Sequence, residues 1–357
     1  MTATFDPAFL IIPGIVFLLS LIATRLAIRY AHRRQLIDQP GQRRSHEVPT
    51  PRGGGIGIVV AVIVPLALAL AVALATAQSR GDQRILASLL AGTLVVACAG
   101  WLDDHRPLGV LPRLAAHLLA ALLLSAAIVL RPGMPWSWSL AGIGVAIALS
   151  VVWSINLHNF MDGIDGLLAS QALFVLLTFA AIALAGDGGG FALAIVVAAA
   201  VAGFLPSNAP RAAIFMGDVG SGSLGFLIAA VAWLGIAYGS LTIASALVAC
   251  SAFVTDATCT LLLRMFRGRR WYSAHREHLY QWLVRSGFPH ARVVALYMGW
   301  NLLVALPVVG WMNLVPDYPM PTGLAPAVTV YALATATWWF GKRWCLRRAC
   351  ERSRNAA

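Results

Sequence analysis

Eleven apolar runs, each roughly the 17–24 residues needed to cross a bilayer, dominate this 357-residue chain. They fall at about 9–31, 55–77, 85–102, 112–131, 139–158, 166–186, 190–206, 221–238, 240–263, 293–312 and 323–341. A backbone in hydrocarbon must satisfy its own polar groups, so runs of this length specify helices. The expected fold is therefore all-α, a polytopic membrane bundle of about 11 transmembrane helices. It forms a single integral-membrane domain over 1–357, with a basic tail at 342–357. Charged residues make up 11% of the chain, against about a quarter in soluble domains. No polar stretch is long enough to build a separate core, and no nucleic-acid partner is expected. Phe9–Ala27 follows an acidic residue and has no small-residue cleavage site after it, so it reads as a retained helix. The five cysteines are scattered, with neither disulfide-framework nor metal-site spacing.

The basic residues divide by side. Loops after odd-numbered runs, the end of the first run and the C-terminal tail carry 23 of them, and the other side has only Arg80, Arg84 and Arg131. By the positive-inside rule the odd loops and the C-terminus are cytoplasmic and the N-terminus is external. In a bacterial inner membrane, the expected location, that external side is the periplasm.

Five unusual polar clusters all fall on the cytoplasmic side. The first runs from Asp38 through Arg43, Arg44 and His46 to Arg52-Gly53-Gly54-Gly55. The second is Asp103-Asp104 with His105 and Arg106. The third, Asn156-Leu157-His158-Asn159-Phe160-Met161-Asp162-Gly163-Ile164-Asp165-Gly166, sits between two long apolar runs. The fourth is Met216-Gly217-Asp218-Val219-Gly220-Ser221-Gly222-Ser223, and the fifth His275-Arg276-Glu277-His278-Leu279-Tyr280-Gln281. Carboxylates beside hydrocarbon are costly and mark function by default. Random scatter would have put some clusters outside, so the five are expected to converge.

Asp103, Asp104, Asp162, Asp165 and Asp218 are hard oxygen ligands suited to Mg²⁺, which is held by one or two carboxylates plus substrate phosphates. Without a cation, five converging carboxylates would repel and some would be protonated. The Arg and His residues of the first and fifth clusters suit phosphate oxygens. The glycine stretches at 53–55 and 217–223 open helices, whose N-termini bind anions. Together these describe a phosphoryl-transfer site at a membrane surface. Each cluster also has a plainer reading: Asp103-Asp104 alone as a solvated helix end, Gly53–Gly55 as an ordinary helix entry, most arginines as topology signals. His275 and His278 are spaced i, i+3, as on one helix face, and suit phosphate or substrate better than metal. His32, His117 and His290 read as structural. Asp256, inside the ninth run, either supports the site or makes an interhelical hydrogen bond. A transporter is the rival class, but carboxylates gathered at one face without an internal repeat do not suit it. A lipid-diphosphate phosphatase is a third.

From about Asp38 to Gly287 these motifs, as an ordered set, resemble the polyprenyl-phosphate N-acetylhexosamine-1-phosphate transferases (glycosyltransferase family 4). The likeness is strongest to O-antigen-initiating enzymes, through His-Arg-x-His-x-Tyr-Gln. The resemblance implies transfer of a sugar-1-phosphate from a UDP-N-acetylhexosamine to undecaprenyl or another polyprenyl phosphate. UMP is released, Mg²⁺ (or Mn²⁺ in its place) is the cofactor, and lipopolysaccharide O-antigen or a related surface glycan is begun. It implies metal ligation by Asp218, contact of Asp103 and Asp104 with metal or lipid phosphate, and nucleotide contacts from Asn159, Asp162 and Asp165. The expected catalytic set is Asp103, Asp104, Asp162, Asp218, His275 and His278. The expected substrate contacts are Arg43, Arg44, His46, Arg52, Gly54, Asn156, Asn159, Asp165, Arg276, Tyr280 and Gln281. Two departures stand out. The three-histidine run of the muramoyl-pentapeptide transferases is absent, which argues against that alternative. Arg113 stands where a Lys is usual, and the two are not equivalent. The choice of sugar and a homodimer are left open.

Overall fold

The computed structural model describes residues 8–39, 48–130, 137–185, 190–269, 275–314 and 323–355. The expected contacts from Arg43, Arg44 and His46 lie outside the described residues. The apolar runs fold as α1 (Ala8–Arg34), α2 (Ile56–Ala75), α3 (Arg80–His105), α4 (Val110–Val129), α5 (Trp138–Phe160), α6 (Leu167–Ala185), α7 (Phe191–Phe204), α8 (Gly217–Ala237), α9 (Ile243–Ala249) and α10 (Ser251–Phe266). The short α11 (Leu279–Arg285) follows, then α12 (His290–Trp300), α13 (Leu306–Leu314) and α14 (Leu324–Asn355). One antiparallel pair, β1 (Ile37–Asp38) with β2 (Thr50–Pro51), closes the loop between α1 and α2.

Every expected run is helical, but not every one is a straight span. Among the described residues eight helices are long and apolar enough to cross a membrane, or nine if α9 and α10 count as one. The ninth expected span is broken after Ala249, with its halves bent by 78°. α7 is short, and α14, with Thr and Trp among its apolar residues and a basic end, is not among the eight. α12 and α13 join through a π-helical turn at Asn301–Ala305. The basic tail is not a separate segment, because α14 runs on through it to Asn355.

α8 is the central helix. Its most apolar stretch is 83% buried, against 17% for that of α1 at the rim. Small residues permit this, since helices in lipid gain by close backbone packing. A side chain at Gly100 of α3 would lie 2.4 Å from the Asp218 carbonyl, and one at Gly225 of α8 would lie 2.6 Å from that of Ser154 in α5. α3, α5 and α8 thus meet with almost nothing between them, and their ends carry Asp103-Asp104, Asn156–Asn159 and Asp218 to one place. The largest buried side chains, among them Phe179, Phe204, Phe226 and Phe253, fill the rest of the interior.

Candidate active site

Asp104 organises the centre. It is buried, and its Oδ1 accepts from the Asp218 N–H and its Oδ2 from the Val219 N–H, each at 3.1 Å. The first turn of α8 is an anion site as its sequence suggests, and the anion seated there is the chain's own Asp104. Gly217 takes φ +75° to turn into this helix, a backbone geometry that favours glycine. Arg52 donates to the carbonyls of Asp103 and Asp104, closing the end of α3.

The glycine run before α2 is packing rather than an anion cradle. The Gly54 and Gly55 N–H groups donate to the carbonyls of Phe215 and Met216 at 2.9 and 2.8 Å, and the Phe215 N–H donates back to Pro51. A Cβ at Gly55 would sit 2.2 Å from Gly220 Cα, and one at Gly54 2.8 Å from the Ile214 side chain. The first and fourth clusters are therefore zipped together through backbone.

Asp103 and Asp218 face one cation. Arg113 Nη1 lies 3.1 Å from Asp103 Oδ2 and 3.1 Å from Asp218 Oδ2. Asp103 Oδ1 also accepts from the Leu108 N–H at 2.6 Å. Four residues along α4 from Arg113, His117 Nδ1 is 3.3 Å from Asn156 Nδ2, which also donates to the Val152 carbonyl. Asn159 donates to Ser221 Oγ at 3.1 Å and lies against Asp218.

Asp162 lies in the turn after α5. Burial, with the charges of Asp218 and Asp104 added, pushes its carboxyl up to about 8, against one stabilising bond from the Gly217 N–H. Asp165 Oδ2 pairs with His290 Nδ1 at 3.3 Å, which gives His290 a place at the site edge. Gly166 N–H donates to Asn208 Oδ1 at 3.0 Å, and Asn208 Nδ2 donates to the Ile214 carbonyl. Asn208 thus ties the third cluster to the approach of the fourth, a link the sequence did not single out.

The fifth cluster closes the site from beneath. His275–Glu277 are not helical and His278 precedes α11, so the two histidines do not share a helix face. Their rings are nonetheless 4.9 Å apart, and His278 stacks on Phe160 and Tyr280. Burial, with His278 and the Arg264 charge nearby, pushes His275 down to about 4. Burial likewise lowers His278. Tyr280 is buried, donates its hydroxyl to the Phe160 carbonyl at 3.0 Å and accepts from Gln281 Nε2 at 3.1 Å. Tyr280 and Gln281 are thereby props under the third cluster. Burial opposes ionisation of Glu277, but Arg264, Arg269 and Lys342 outweigh it and hold the carboxyl low. Arg276 lies beside these groups and its carbonyl accepts from Arg285.

Asp256 fits both of its sequence readings, since its interhelical hydrogen bonds are what support the fifth cluster. It accepts from the Leu279 N–H (2.7 Å), Tyr280 N–H (3.3 Å), Tyr297 hydroxyl (2.6 Å), Trp338 Nε1 (3.0 Å) and Thr260 Oγ1 (3.3 Å). One buried carboxyl therefore joins α10, α11, α12 and α14 and fixes the fifth cluster. Four clusters, and the Arg52–Gly55 part of the first, do converge.

Two carboxylates on one cationic nitrogen fit a divalent cation of the Mg²⁺ kind, which needs only one or two protein carboxylates when phosphates supply the rest. Asp104, with both oxygens on backbone amides, serves chiefly as the strut behind them.

Comparison with known proteins decides the family. The family model described as glycosyl transferase family 4 matches residues 86–236. The decaprenyl-phosphate N-acetylglucosaminephosphotransferase of Mycobacterium tuberculosis is 30% identical over 313 residues, covering 77% of this chain and 75% of that protein. The chain belongs to glycosyl transferase family 4. The undecaprenyl-phosphate alpha-N-acetylglucosaminyl 1-phosphate transferase of Yersinia pestis is 27% identical over 362 residues, covering 96% of this chain and 95% of that protein. A phospho-N-acetylmuramoyl-pentapeptide-transferase of Moorella thermoacetica is 32% identical over 242 residues, covering 61% of this chain and 74% of that protein. Family 4 membership makes the chain a polyprenyl-phosphate sugar-1-phosphate transferase and a multi-pass membrane protein.

Proposed function

We propose that this family 4 enzyme moves N-acetylglucosamine-1-phosphate from its UDP-sugar to a polyprenyl phosphate on the cytoplasmic face of a bacterial inner membrane. The observation that carries this reading is the Asp103–Arg113–Asp218 centre, ringed by the third and fifth clusters, in a chain aligned over 77% and 96% of its length with two N-acetylglucosamine-1-phosphate transferases. The lipid-linked product begins a surface glycan, O-antigen or a cell-wall polymer. The muramoyl-pentapeptide reading has the shorter alignment behind it, and the fifth cluster here has His-Arg-Glu-His rather than consecutive histidines.

An oxygen of the lipid phosphate attacks the phosphorus that bears the sugar. The bond from that phosphorus to UMP breaks, and the anhydride is remade to the lipid. A phosphate monoester is largely ionised at neutral pH, its second pKa being about 6, so a strong general base is not required. Asp103 and Asp218 would hold Mg²⁺, which supplies charge neutralisation at the transferred and leaving phosphates. Asn159 and the Asp162–Asp165 turn hold the nucleotide, and His275, His278 and Arg276 contact phosphates. α9 and α10, bent apart, border the entry for the lipid tail. The external N-terminus and cytoplasmic C-terminus follow from the distribution of arginine.

The test is UMP release by purified protein from UDP-N-acetylglucosamine with Mg²⁺. Release only on addition of polyprenyl phosphate is expected. Release without the lipid would make the protein a hydrolase.

A further inference from the structure

The family 4 site as described has a cation of its own. One nitrogen, Arg113 Nη1, stands 3.1 Å from a carboxylate oxygen of Asp103 and 3.1 Å from one of Asp218. Arg113 is on α4, while the two carboxylates come from α3 and α8, so three helices are pinned at this point. The pair needs a positive partner, because Asp104 is held close by, on the two amides that open α8. Among the described residues no group of three His, Cys, Asp or Glu side chains is gathered to hold a metal ion. The arginine nitrogen and a divalent cation cannot both sit between the same two oxygens.

The two carboxylates hold Arg113 by one nitrogen. Its side chain is 34% exposed, and its remaining guanidinium nitrogens are not tied to either carboxylate. A guanidinium released from carboxylates is a bidentate phosphate binder, which an ammonium is not.

We propose that Arg113 is the resident counter-ion of the Asp103–Asp218 pair, that a divalent cation takes its place there, and that the freed guanidinium then binds the donor's diphosphate. Metal and donor are thereby coupled: each stabilises the arrangement in which Arg113 has left the carboxylates. The bundle end also stays paired when the metal is absent. The proposal rests on the transferase reading for its second ligand, but its metal half does not depend on turnover.

Mn²⁺ binding, read by the loss of its free-ion paramagnetic resonance signal, tests the first half. Arg113→Gln should bind Mn²⁺ about tenfold more tightly than the wild type, a coupling of ordinary size. It should also unfold at a lower temperature without metal and gain more from added Mn²⁺. Mn²⁺ affinity that is unchanged or weaker in the variant overturns the proposal. The wild-type protein gives a second reading should the variant not fold. Labelling with phenylglyoxal, quantified at the Arg113 peptide by mass spectrometry, should speed up several-fold with Mg²⁺ and be suppressed again when UDP is added. A rate at Arg113 that Mg²⁺ leaves unchanged or lowers overturns it. Failure of UDP-sugar turnover with Mn²⁺ competition intact would sink the substrate reading alone.

Discussion

Asp256→Asn isolates the device that holds the fifth cluster in place. The buried carboxyl has donors on both oxygens: Leu279 N–H, Trp338 Nε1 and Thr260 Oγ1 on Oδ1, and Tyr280 N–H and Tyr297 hydroxyl on Oδ2. An amide must present NH₂ at one of these positions. The less damaging choice places it at Oδ2, where the Tyr297 hydroxyl can turn to accept, leaving the Tyr280 N–H facing a second donor. At Oδ1 the fixed Leu279 N–H and Trp338 Nε1 would both lose their acceptor. The loss is therefore at least one hydrogen bond plus one buried unsatisfied donor. At roughly 0.5–1.5 kcal/mol for the first and 1–3 for the second, the cost is about 2–4 kcal/mol. The start of α11 should loosen, and with it Tyr280 and the turn at Phe160–Gly163. Unfolding of the detergent-solubilised protein should show the lowered stability. Hydrogen exchange should show the loss concentrated at 278–285 and 160–166. A variant as stable as the wild type, with unchanged exchange there, would refute the reasoning.

Other outcomes follow from the same geometry. Gly163→Ala would place a Cβ 2.1 Å from the Tyr280 hydroxyl, so transfer should fall sharply, and Tyr280→Phe in the same chain should recover part of it; no recovery would separate the two residues. Asp218→Asn should abolish transfer and metal-dependent stabilisation while leaving a folded protein, and turnover near wild type would remove Asp218 from the site. His275 is pushed down from 6.5 to about 4 in the folded chain, so between those values the unfolded chain takes up a proton that the folded one does not. Its contribution to stability is complete above about pH 6.5 and is lost as pH falls toward 4. His275→Gln should flatten that part of a melting-temperature profile, and an unaltered profile would contradict the assignment.

The sequence was most informative where physics leaves one option. Long apolar runs can only be helices, and acids gathered at one set of their ends are too costly to be idle. The convergence of four clusters, and of the Arg52–Gly55 part of the first, was expected before any contact was known. Periodicity carries no signal for a break such as that after Ala249, because both halves remain apolar. The two glycine stretches show the limit of local reading. Both looked like phosphate cradles, but the amides of one are spent on Phe215 and Met216 and those of the other on Asp104. Which polar group fills a helix terminus depends on a neighbour over a hundred residues away. Asn208 was invisible as a support for the same reason, and the partners of Asp256, though not its candidacy, were hidden likewise: each is defined by partners from other elements.

The central claim is an exchange of one phosphate anhydride for another, and label exchange in reverse tests it most directly. One sugar–diphosphate bond is broken and a similar one made, so the free-energy difference should be on the order of 1–2 kcal/mol, leaving both directions measurable. Labelled UMP, incubated with purified protein, Mg²⁺ and N-acetylglucosaminyl-diphosphate-polyprenol, should appear in UDP-N-acetylglucosamine at a rate within about 30-fold of forward transfer. Robust forward transfer with no label in the UDP-sugar would contradict the account.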